Sequence, residues 1–252
     1  MSGEETRAGA DFGFRRVDIA EKARLVRGVF DAVAGRYDLM NDLMSLGIHR
    51  LWKSALIEAL NPRPGQVLLD VAGGTGDIAE RFLDRAGAGA RAILCDINEA
   101  MIARGRDRAI DQGRLSGMEF LGGDAERLPI ASGSIDAYTI AFGLRNVTRL
   151  EAALAEARRV LVPGGRFLCL EFAPVTRPGL RQLYDLYSFE LLPRLGAWVT
   201  GEGEAYRYLV ESIRRFPPQA ALKRRMEEAG FERVSWRDFS GGIAALHSGW
   251  RL

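Results

Sequence analysis

The stretch VLLDVAGGTGDIAERFL, Val67 to Leu83, decides how this chain is expected to fold. A short aliphatic run ends at Asp70, glycines surround Thr75, and the residues after Gly76 have the pattern of an amphipathic helix. A strand, a glycine-rich turn and a helix N-terminus present backbone N–H groups to a ligand at close range, because glycine has no Cβ in the way. The order Gly74-Thr75-Gly76-Asp77-Ile78-Ala79 also fits the G-x-G-x-x-A form of a dinucleotide-binding turn. The loop therefore predicts an adenosine-containing ligand without deciding which one.

Strand-like and helix-like segments alternate from this stretch onward. The apolar runs VLLDVA, RAILCDI, MEFLGGD, IDAYTIAF and RFLCLEF are separated by the helix-length segments DIAERFLDR, NEAMIARGRDRAI and LEAALAEARRVL. Such runs are typical of strands buried on both faces, and their alternation with helices favours a parallel sheet. The turn Pro163-Gly164-Gly165 is expected to end a helix and start the fifth strand. FERVSWRDF and IAALHSGWRL, joined through Ser240-Gly241-Gly242, predict a terminal antiparallel hairpin.

The remaining segments are assigned to one domain with helical additions. Residues 1–17 are polar and contain glycine, so we expect a flexible tail there. Residues 18–252 are expected to form a single domain, with helical additions at about 18–60 and 179–229. Lys22 to Ser45 predicts a helix in the first addition, and the aromatic and aliphatic stripe from Leu180 to Leu195 predicts one in the second.

Composition excludes several classes of protein. The formal net charge of +2 provides no general attraction for nucleic acid. No uninterrupted run approaches the ~18 apolar residues of a membrane span, and the N-terminus lacks the pattern of a secretory signal. Cys95 and Cys169 lie in aliphatic runs, so we expect buried thiols with neither a disulfide nor a metal site. We expect a cytoplasmic protein, at most peripheral to a membrane surface.

Acidic residues at the ends of three predicted strands distinguish between the candidate ligands. Asp70 ends the first strand and Asp77 begins the helix after the glycines, and two carboxylates there would repel a pyrophosphate. S-Adenosyl-L-methionine has no phosphate and carries an ammonium and a sulfonium, which carboxylates attract. Asp96 after the second strand can accept ribose hydroxyls, which is equally true of an acid at this place in NAD-dependent enzymes, so Asp96 alone does not discriminate. Asp124-Ala125 after the third strand can accept from an adenine amino group. Each acid alone is also an ordinary helix N-cap, so the prediction of S-adenosyl-L-methionine depends on the ordered set.

These residues resemble those of a class I S-adenosylmethionine-dependent methyltransferase, and more narrowly the ubiquinone/menaquinone biosynthesis C-methyltransferase family. YDLMNDLMSLGIHRLWK, Tyr37 to Lys53, matches the first signature of that family, and RVLVPGGRFLCLEFA, Arg159 to Ala173, resembles the second. The second departs from the family at Val162, where lysine is usual, and at Ala173, where serine is usual. FGLRNVT and YRYLVESIRRFPPQ also follow the family, so the resemblance extends from about Lys22 to the C-terminus.

The resemblance implies the fold and the reaction. The fold is a Rossmann-like α/β class I methyltransferase fold, a mostly parallel seven-stranded sheet with a terminal antiparallel hairpin and helices on both faces. The reaction is C-methylation of a polyprenylated benzoquinol, a demethylmenaquinol or both. A serine common in the family is Ala141 here, which removes a hydroxyl contact at that point. With the family's cofactor contacts and the acid and glycines of the loop, the predicted cofactor-binding residues are Asp70, Gly73, Thr75, Gly76, Asp96, Asp124 and Ala125.

The residues that act on the substrate are less well determined by sequence. Arg145 and Asn146 follow the fourth strand, the customary place for substrate-side chemistry in this fold. Arginine is a poor base, so we expect Arg145 to stabilise a phenolate electrostatically, the alternative being a salt bridge that braces a loop. His49 is a candidate base, with helix capping or packing as the alternative. Tyr37 and Asn41 are expected either to contact the substrate or to form interhelical hydrogen bonds. No metal is expected.

The implied partner is the polyprenylated quinol substrate. The sequence leaves open a peripheral membrane contact through the apolar helices, contacts with other quinone-pathway enzymes, and a homo-oligomer; nucleic acid is not expected. Three other functions stay in view. They are an O- or N-methyltransferase of another small molecule, a non-catalytic S-adenosylmethionine-binding scaffold of quinone biosynthesis, and a nucleotide-dependent dehydrogenase, which Asp70 and Asp77 disfavour.

Overall fold

A computed structural model of the chain describes residues 9–33, 42, 45, 47–114, 116–175, 179, 182 and 203–252. Strands β1 (Gly9–Phe12) and β2 (Arg15–Asp18) form an antiparallel hairpin ahead of helix α1 (Ile19–Val33). From residue 9 onward, this hairpin replaces the flexible tail that the sequence predicts. Phe12 stacks on Tyr208 with ring centroids 4.3 Å apart. A contact with a distant part of the chain therefore supports the hairpin, which local polarity does not reveal.

The alternation of strands and helices follows the prediction. After α2 (His49–Leu60) come β3 (Val67–Val71), α3 (Asp77–Ala86), β4 (Arg91–Asp96), α4 (Glu99–Asp111), β5 (Met118–Gly122) and β6 (Ile135–Ala141). A 3-10 turn (Leu144–Asn146), α5 (Leu150–Val160) and β7 (Leu161–Phe172) follow. The described chain then continues with α6 (Gly203–Arg215), α7 (Gln219–Glu228), β8 (Glu232–Phe239) and β9 (Ala244–Arg251).

Seven of these strands form one sheet in the order β5-β4-β3-β6-β7-β9-β8. The strands β3 to β7 pair in parallel, and β9 pairs antiparallel with both β7 and β8, which is the predicted terminal hairpin. The chain moves outward from β3 to β5 and then returns to the other side of β3 with β6. Such a switch point at the carboxyl edge of a sheet is where open α/β folds bind ligands. The predicted fold class is confirmed.

Successive residues of the central strands pack on opposite faces of the sheet. Leu68 and Leu168 belong to a core shared with α2, α3 and α6, whereas Leu69, Phe167 and Cys169 belong to a second core shared with α5 and α7. Because side chains alternate along a strand, a sheet covered on both faces needs apolar residues at nearly every position. Full burial of each large aliphatic side chain contributes about 1.5–3 kcal/mol. This explains why the strands appear in the sequence as continuous apolar runs.

One strand begins earlier than predicted. Helix α5 ends at Val160 and β7 begins at Leu161, so the Pro163-Gly164-Gly165 turn lies inside the strand and not before it. The register against β6 shifts across this turn. Gly164 has a φ of 81°, a left-handed conformation that glycine adopts without steric cost. The glycine turn therefore serves as an irregularity in a longer strand.

Several predicted features lie outside the described residues. They include the predicted helix from Leu180 to Leu195 apart from residue 182, and residues 34–41, which contain Tyr37 and Asn41. A flexible tail stays a prediction for residues 1–8 only, and the single domain over residues 18–252 also stays a prediction. Cys95 and Cys169 are buried free thiols, as predicted. None of the helices in the described part of the chain is both long and apolar enough to cross a membrane.

Candidate functional site

A cleft opens where the strand order reverses. Residues that follow β3, β4, β5 and β6 form most of its lining, and apolar residues of α1, including Val26 and Phe30, form one wall. Asp96, Asp124 and Ala125 all line this cleft. The structure therefore brings together acids that are far apart in the sequence, as parallel strands ending at one edge require.

The ends of β3 and β6 have unusual backbone conformations. Ala72 has a φ of 50° and Phe142 a φ of 59°, in the left-handed region that costs non-glycine residues about 1–3 kcal/mol each. Gly74 and Gly76, with φ of 57° and 87°, continue the turn into α3. Ala72 and Phe142 both line the cleft. Two of the five described non-glycine residues with a positive φ therefore lie at the candidate site, beside the glycine loop.

Gly143 allows these two strand ends to approach each other. A Cβ at position 143 would overlap with the Cβ of Ala72. We predict that Gly143→Ala lowers the free energy of unfolding by about 1–3 kcal/mol, because one strand end must move. Urea unfolding measures this loss. The matched control is Gly122→Ala at the end of β5, where an added Cβ meets no atom within 4 Å. Equal losses in the two variants would contradict the prediction.

Asp70 lies buried near the end of β3, beside the glycine loop. Its Oδ1 accepts a hydrogen bond from Thr139 Oγ1 at 2.7 Å, and its Oδ2 has no partner among the described residues. A Cβ at Gly73 would lie 2.9 Å from Oδ2, so glycine leaves room beside this buried oxygen, and both residues line a small cavity together with Thr75. Burial raises the pKa of Asp70 to about 7. A buried carboxylate with a free oxygen fits a cationic hydrogen-bond donor, such as the ammonium of S-adenosylmethionine.

Asp77, in contrast, is neutralised by its neighbours. Lys53 Nζ lies 2.9 Å from Oδ2 and Arg81 Nε lies 2.7 Å from Oδ1. Burial alone would raise the pKa of Asp77, but the two cations lower it to about 2. Asp77 therefore adds no net negative charge to the loop, so the expectation that it repels a pyrophosphate is wrong. Asp70 alone carries the discrimination against a pyrophosphate. Lys53 was missed, although it ends the first signature.

Asp96 both supports the glycine loop and lines the cleft. Its Oδ2 accepts from the backbone N–H of Gly74 at 3.0 Å, and its Oδ1 accepts from that of Asn98 at 2.9 Å. Burial raises its pKa, while these backbone donors oppose the shift. Each carboxylate oxygen can accept more than one hydrogen bond, so both remain able to accept from hydroxyls. Asp124 is exposed, and its Oδ1 accepts from the backbone N–H of Glu126 at 2.9 Å.

Asn98 connects α1 to this edge of the sheet and was not predicted. Its Nδ2 donates to Asp31 Oδ1 at 2.7 Å, and its Oδ1 accepts from Met101 N–H at 3.0 Å. The second bond caps α4, which asparagine favours before a helix. That capping preference was the available sequence signal. Asn98 therefore helps to hold α1 beside the cleft.

Arg145 forms a buried ion pair and lies away from the cleft. Its Nη1 lies 2.6 Å from Glu171 Oε1 and donates to Phe142 O at 2.6 Å. The side chains of Arg145 and Glu171 are both 2% exposed. Arg145 lines a second, polar cavity and is absent from the lining of the cleft. The geometry therefore favours the bracing role over direct contact with a phenolate. Glu171 was missed, although it lies in the second signature.

Asn146 and His49 are placed differently from each other. Asn146 lines the cleft, and its Oδ1 accepts from Tyr208 Oη at 3.1 Å. His49 begins α2 and is buried, with Nε2 at 2.9 Å from Asp42 Oδ1. Burial lowers the pKa of His49, and the hydrogen bond with Asp42 opposes the shift. His49 lines neither the cleft nor the cavity beside Asp70, which favours its packing role. No group of residues suited to a metal ion occurs in the described ranges.

Known proteins share this sequence over nearly its whole length. The ubiE/COQ5 methyltransferase family matches residues 17–251. The ubiquinone/menaquinone biosynthesis C-methyltransferase UbiE of Methylobacterium nodulans is 59% identical over 100% of both chains. The protein of the same name from Nitrobacter hamburgensis is 59% identical over 96% of both chains. The corresponding Brucella abortus protein is 54% identical, over 99% of this chain and 96% of its own.

Solved structures of low identity share the fold. A chain of the complex between the Haloferax volcanii Trm112 methyltransferase activator and a methyltransferase superposes with a TM-score of 0.66 and 16% identity, covering 88% of this chain and 97% of its own. A SAM-dependent methyltransferase from Aquifex aeolicus has a TM-score of 0.61 and 15% identity, with coverage of 84% and 97%. These likenesses support the fold, and the family match confirms the resemblance found in the two signatures. The chain belongs to the ubiE/COQ5 methyltransferase family.

Proposed function

We propose that this protein is an S-adenosylmethionine-dependent C-methyltransferase acting on the ring of a polyprenylated benzoquinol, a demethylmenaquinol or both. The family membership supports the reaction and the quinol class of substrate. One observation in the site carries the proposal. It is the buried Asp70 carboxylate, whose free oxygen beside a glycine loop suits a cofactor that bears an ammonium and lacks a pyrophosphate.

The cofactor-binding residues have distinct roles in this proposal. When bound, S-adenosylmethionine supplies an electrophilic methyl group on its sulfonium. Asp70 accepts from the ammonium, and the loop from Gly73 to Gly76, including Thr75, surrounds the amino-acid end. Asp96 accepts from the ribose hydroxyls. Asp124 and Ala125 receive the adenine, Asp124 through its carboxylate and Ala125 through packing. The lining of the cleft and of the small cavity supports this order.

On the substrate side, the protein has to stabilise a deprotonated quinol and exclude water. Loss of the hydroxyl proton places negative charge on the neighbouring ring carbon. That carbon would take the methyl group of the bound cofactor as the sulfur–methyl bond breaks, and would then lose its own proton. We assign Asn146 to this oxyanion, since Tyr208 occupies its Oδ1 and leaves the Nδ2 hydrogens to donate. Arg145 holds the loop that carries Asn146 through its bonds to Glu171 and Phe142. Val26 and Phe30 give the cleft an apolar wall that shields the reacting groups from water.

The proton acceptor and the cellular setting stay predictions. His49 remains a candidate base, and Tyr37 and Asn41 remain candidate substrate contacts. Because an isoprenoid tail partitions into lipid, we propose a cytoplasmic protein that contacts the membrane surface peripherally. A homo-oligomer and contacts with other quinone-pathway enzymes are further predictions of the same proposal.

A labelling experiment tests the proposed reaction. The pure protein receives S-adenosylmethionine labelled at the methyl group, together with reduced demethoxy-type benzoquinols or demethylmenaquinols. We expect label on a ring carbon, identified by mass spectrometry and NMR of the product, and none with the oxidised quinones. Label on oxygen would indicate an O-methyltransferase. Binding of S-adenosylmethionine without transfer would indicate a scaffold, and calorimetric binding of NADH in its place would indicate a dehydrogenase.

A further inference from the structure

Lys53 is a buried cation at the contact between α2 and the glycine loop. Its side chain is 8% exposed, and its Nζ donates to Asp77 Oδ2, on the first residue of α3, at 2.9 Å. Lys53 also lines the small cavity that Asp70 and Thr75 share. The binding and catalytic roles assigned above make no use of it. Burying an ammonium is costly unless it is paired, so its position beside the cofactor loop requires an explanation.

The charged groups around Asp70 come from three elements. Lys53 on α2 favours the ionised carboxylate, whereas Asp77 on α3 and Asp96 at the end of β4 oppose it. The hydroxyl of Thr139 on β6 donates to Oδ1 and also favours the ionised form. In the described part of the chain, Lys53 is therefore the cation that offsets two neighbouring acids and the cost of burial. Arg81 pairs with the other carboxylate oxygen of Asp77, Oδ1, and is not among the groups that shift the pKa of Asp70 most.

We propose that Lys53 is a positioning residue of the cofactor site: it fixes Asp77 at the start of α3 and favours the ionised form of the Asp70 carboxyl group, whose Oδ2 would accept from an ammonium. The identity of the ammonium as that of S-adenosylmethionine rests on the proposed function. The coupling between Lys53 and Asp70 does not. Lys53 thereby links the cover helix α2 to the loop that receives the cofactor.

The charge on Asp70 matters because the two forms of the carboxyl group offer different bonds. The ionised form accepts hydrogen bonds at both oxygens, whereas the protonated form presents a donor. Burial already raises the pKa of Asp70 to about 7, so its ionisation near neutral pH is finely balanced. Without Lys53, the charged groups that still act most strongly on Asp70 are Asp77 and Asp96, and both oppose its ionisation. The carboxyl group would then be protonated over more of the neutral range.

The direct test titrates Asp70 in the ligand-free protein by carboxyl ¹³C NMR, with the Asp70→Asn variant identifying its signal. We expect a midpoint near pH 7 in the wild type. Lys53→Met should raise the midpoint by about one pH unit or more, as loss of a neighbouring opposite charge does. Lys53→Arg, which keeps the positive charge, should keep the midpoint near the wild-type value. The control Arg81→Met should also leave the midpoint near that value. Asp77→Asn should lower it, which supplies a test of opposite sign if Lys53→Met folds poorly.

Cofactor affinity gives a second measurement. Calorimetry with S-adenosylmethionine from pH 6 to 9 should show Lys53→Met binding about fivefold or more weakly at pH 7, which is the change in ionised fraction for a midpoint raised by one unit, and approaching the wild type at pH 9. The amino group of the ligand titrates equally in every series and cancels in the comparison. An unchanged Asp70 midpoint in Lys53→Met, or a loss of affinity equal at all pH values, would overturn the proposal. Failure of the wild type to bind S-adenosylmethionine would instead count against the proposed function, while the NMR titration still decides the role of Lys53.

Discussion

Replacing Arg145 with methionine should lower the free energy of unfolding by about 3–5 kcal/mol at pH 8, because it leaves the buried carboxylate of Glu171 without its cation. Both side chains are 2% exposed, and Arg145 also donates to Phe142 O. Burial raises the pKa of Glu171, and Arg145 opposes that shift. Without Arg145, folded Glu171 holds its proton more tightly than the unfolded chain does. The loss of stability should therefore grow as pH rises from 5 to 8, which urea unfolding at several pH values measures.

A double variant separates bracing from catalysis. Arg145→Met with Glu171→Met removes both charges, and we expect stability within about 1 kcal/mol of the wild type, since buried ion pairs are often replaceable by packed apolar residues. If Arg145 only braces the loop, the rate of methyl transfer should be higher in this double variant than in Arg145→Met alone. If Arg145 contacts the phenolate, the double variant should fold and stay inactive. A single variant as stable as the wild type would contradict the importance of the pair.

Replacing Asp70 with asparagine should weaken S-adenosylmethionine binding about 10–100-fold, the range expected when a hydrogen bond to a charged group is lost. Asparagine keeps the acceptor for Thr139 Oγ1 but places an amide donor where the free Oδ2 lies. Equilibrium binding of the cofactor measures the loss. The same change should stabilise the ligand-free protein at pH 8, because it removes a buried charge.

The pH dependence of the free energy of unfolding shows why Asp70→Asn should stabilise the protein at high pH. The pKa of Asp70 is raised from 3.8 to about 7 in the folded protein, so the folded state binds a proton more tightly than the unfolded state. Wild-type stability therefore falls by up to ~1.4 kcal/mol per pH unit between these values and then levels off. The gain in Asp70→Asn should reach about 2–4 kcal/mol at pH 8 and vanish near pH 4. Asp124→Asn, an exposed acid at the same edge, should change stability by less than about 0.5 kcal/mol. If Asp70→Asn lost stability at pH 8, Asp70 would be a structural residue and its cofactor role would be in doubt.

The sequence by itself determined the layout of this protein. Apolar runs ending in Asp70, Asp96 and the Gly122-Gly123-Asp124 turn predicted the parallel strands, and 3.6-residue periodicity predicted the helices between them. Parallel strands end at one edge, so the acids were expected to line one cleft, and Asp96 and Asp124 do. These features depend on local patterns and on the period of strand and helix, which a single sequence displays directly.

Only the tertiary structure decided what each charged group does. Lys53 forms an ion pair with Asp77, the acid expected near the ligand, and Glu171 forms one with Arg145, the arginine expected near the substrate. Both residues therefore stabilise the structure around the site. Likewise, Phe12 meets Tyr208 and supports a hairpin where a tail was predicted. Each of these contacts joins residues from different elements. A side chain's charge is a local property, but its partner, its burial and hence its ionisation depend on neighbours that only the folded chain brings within a few ångströms.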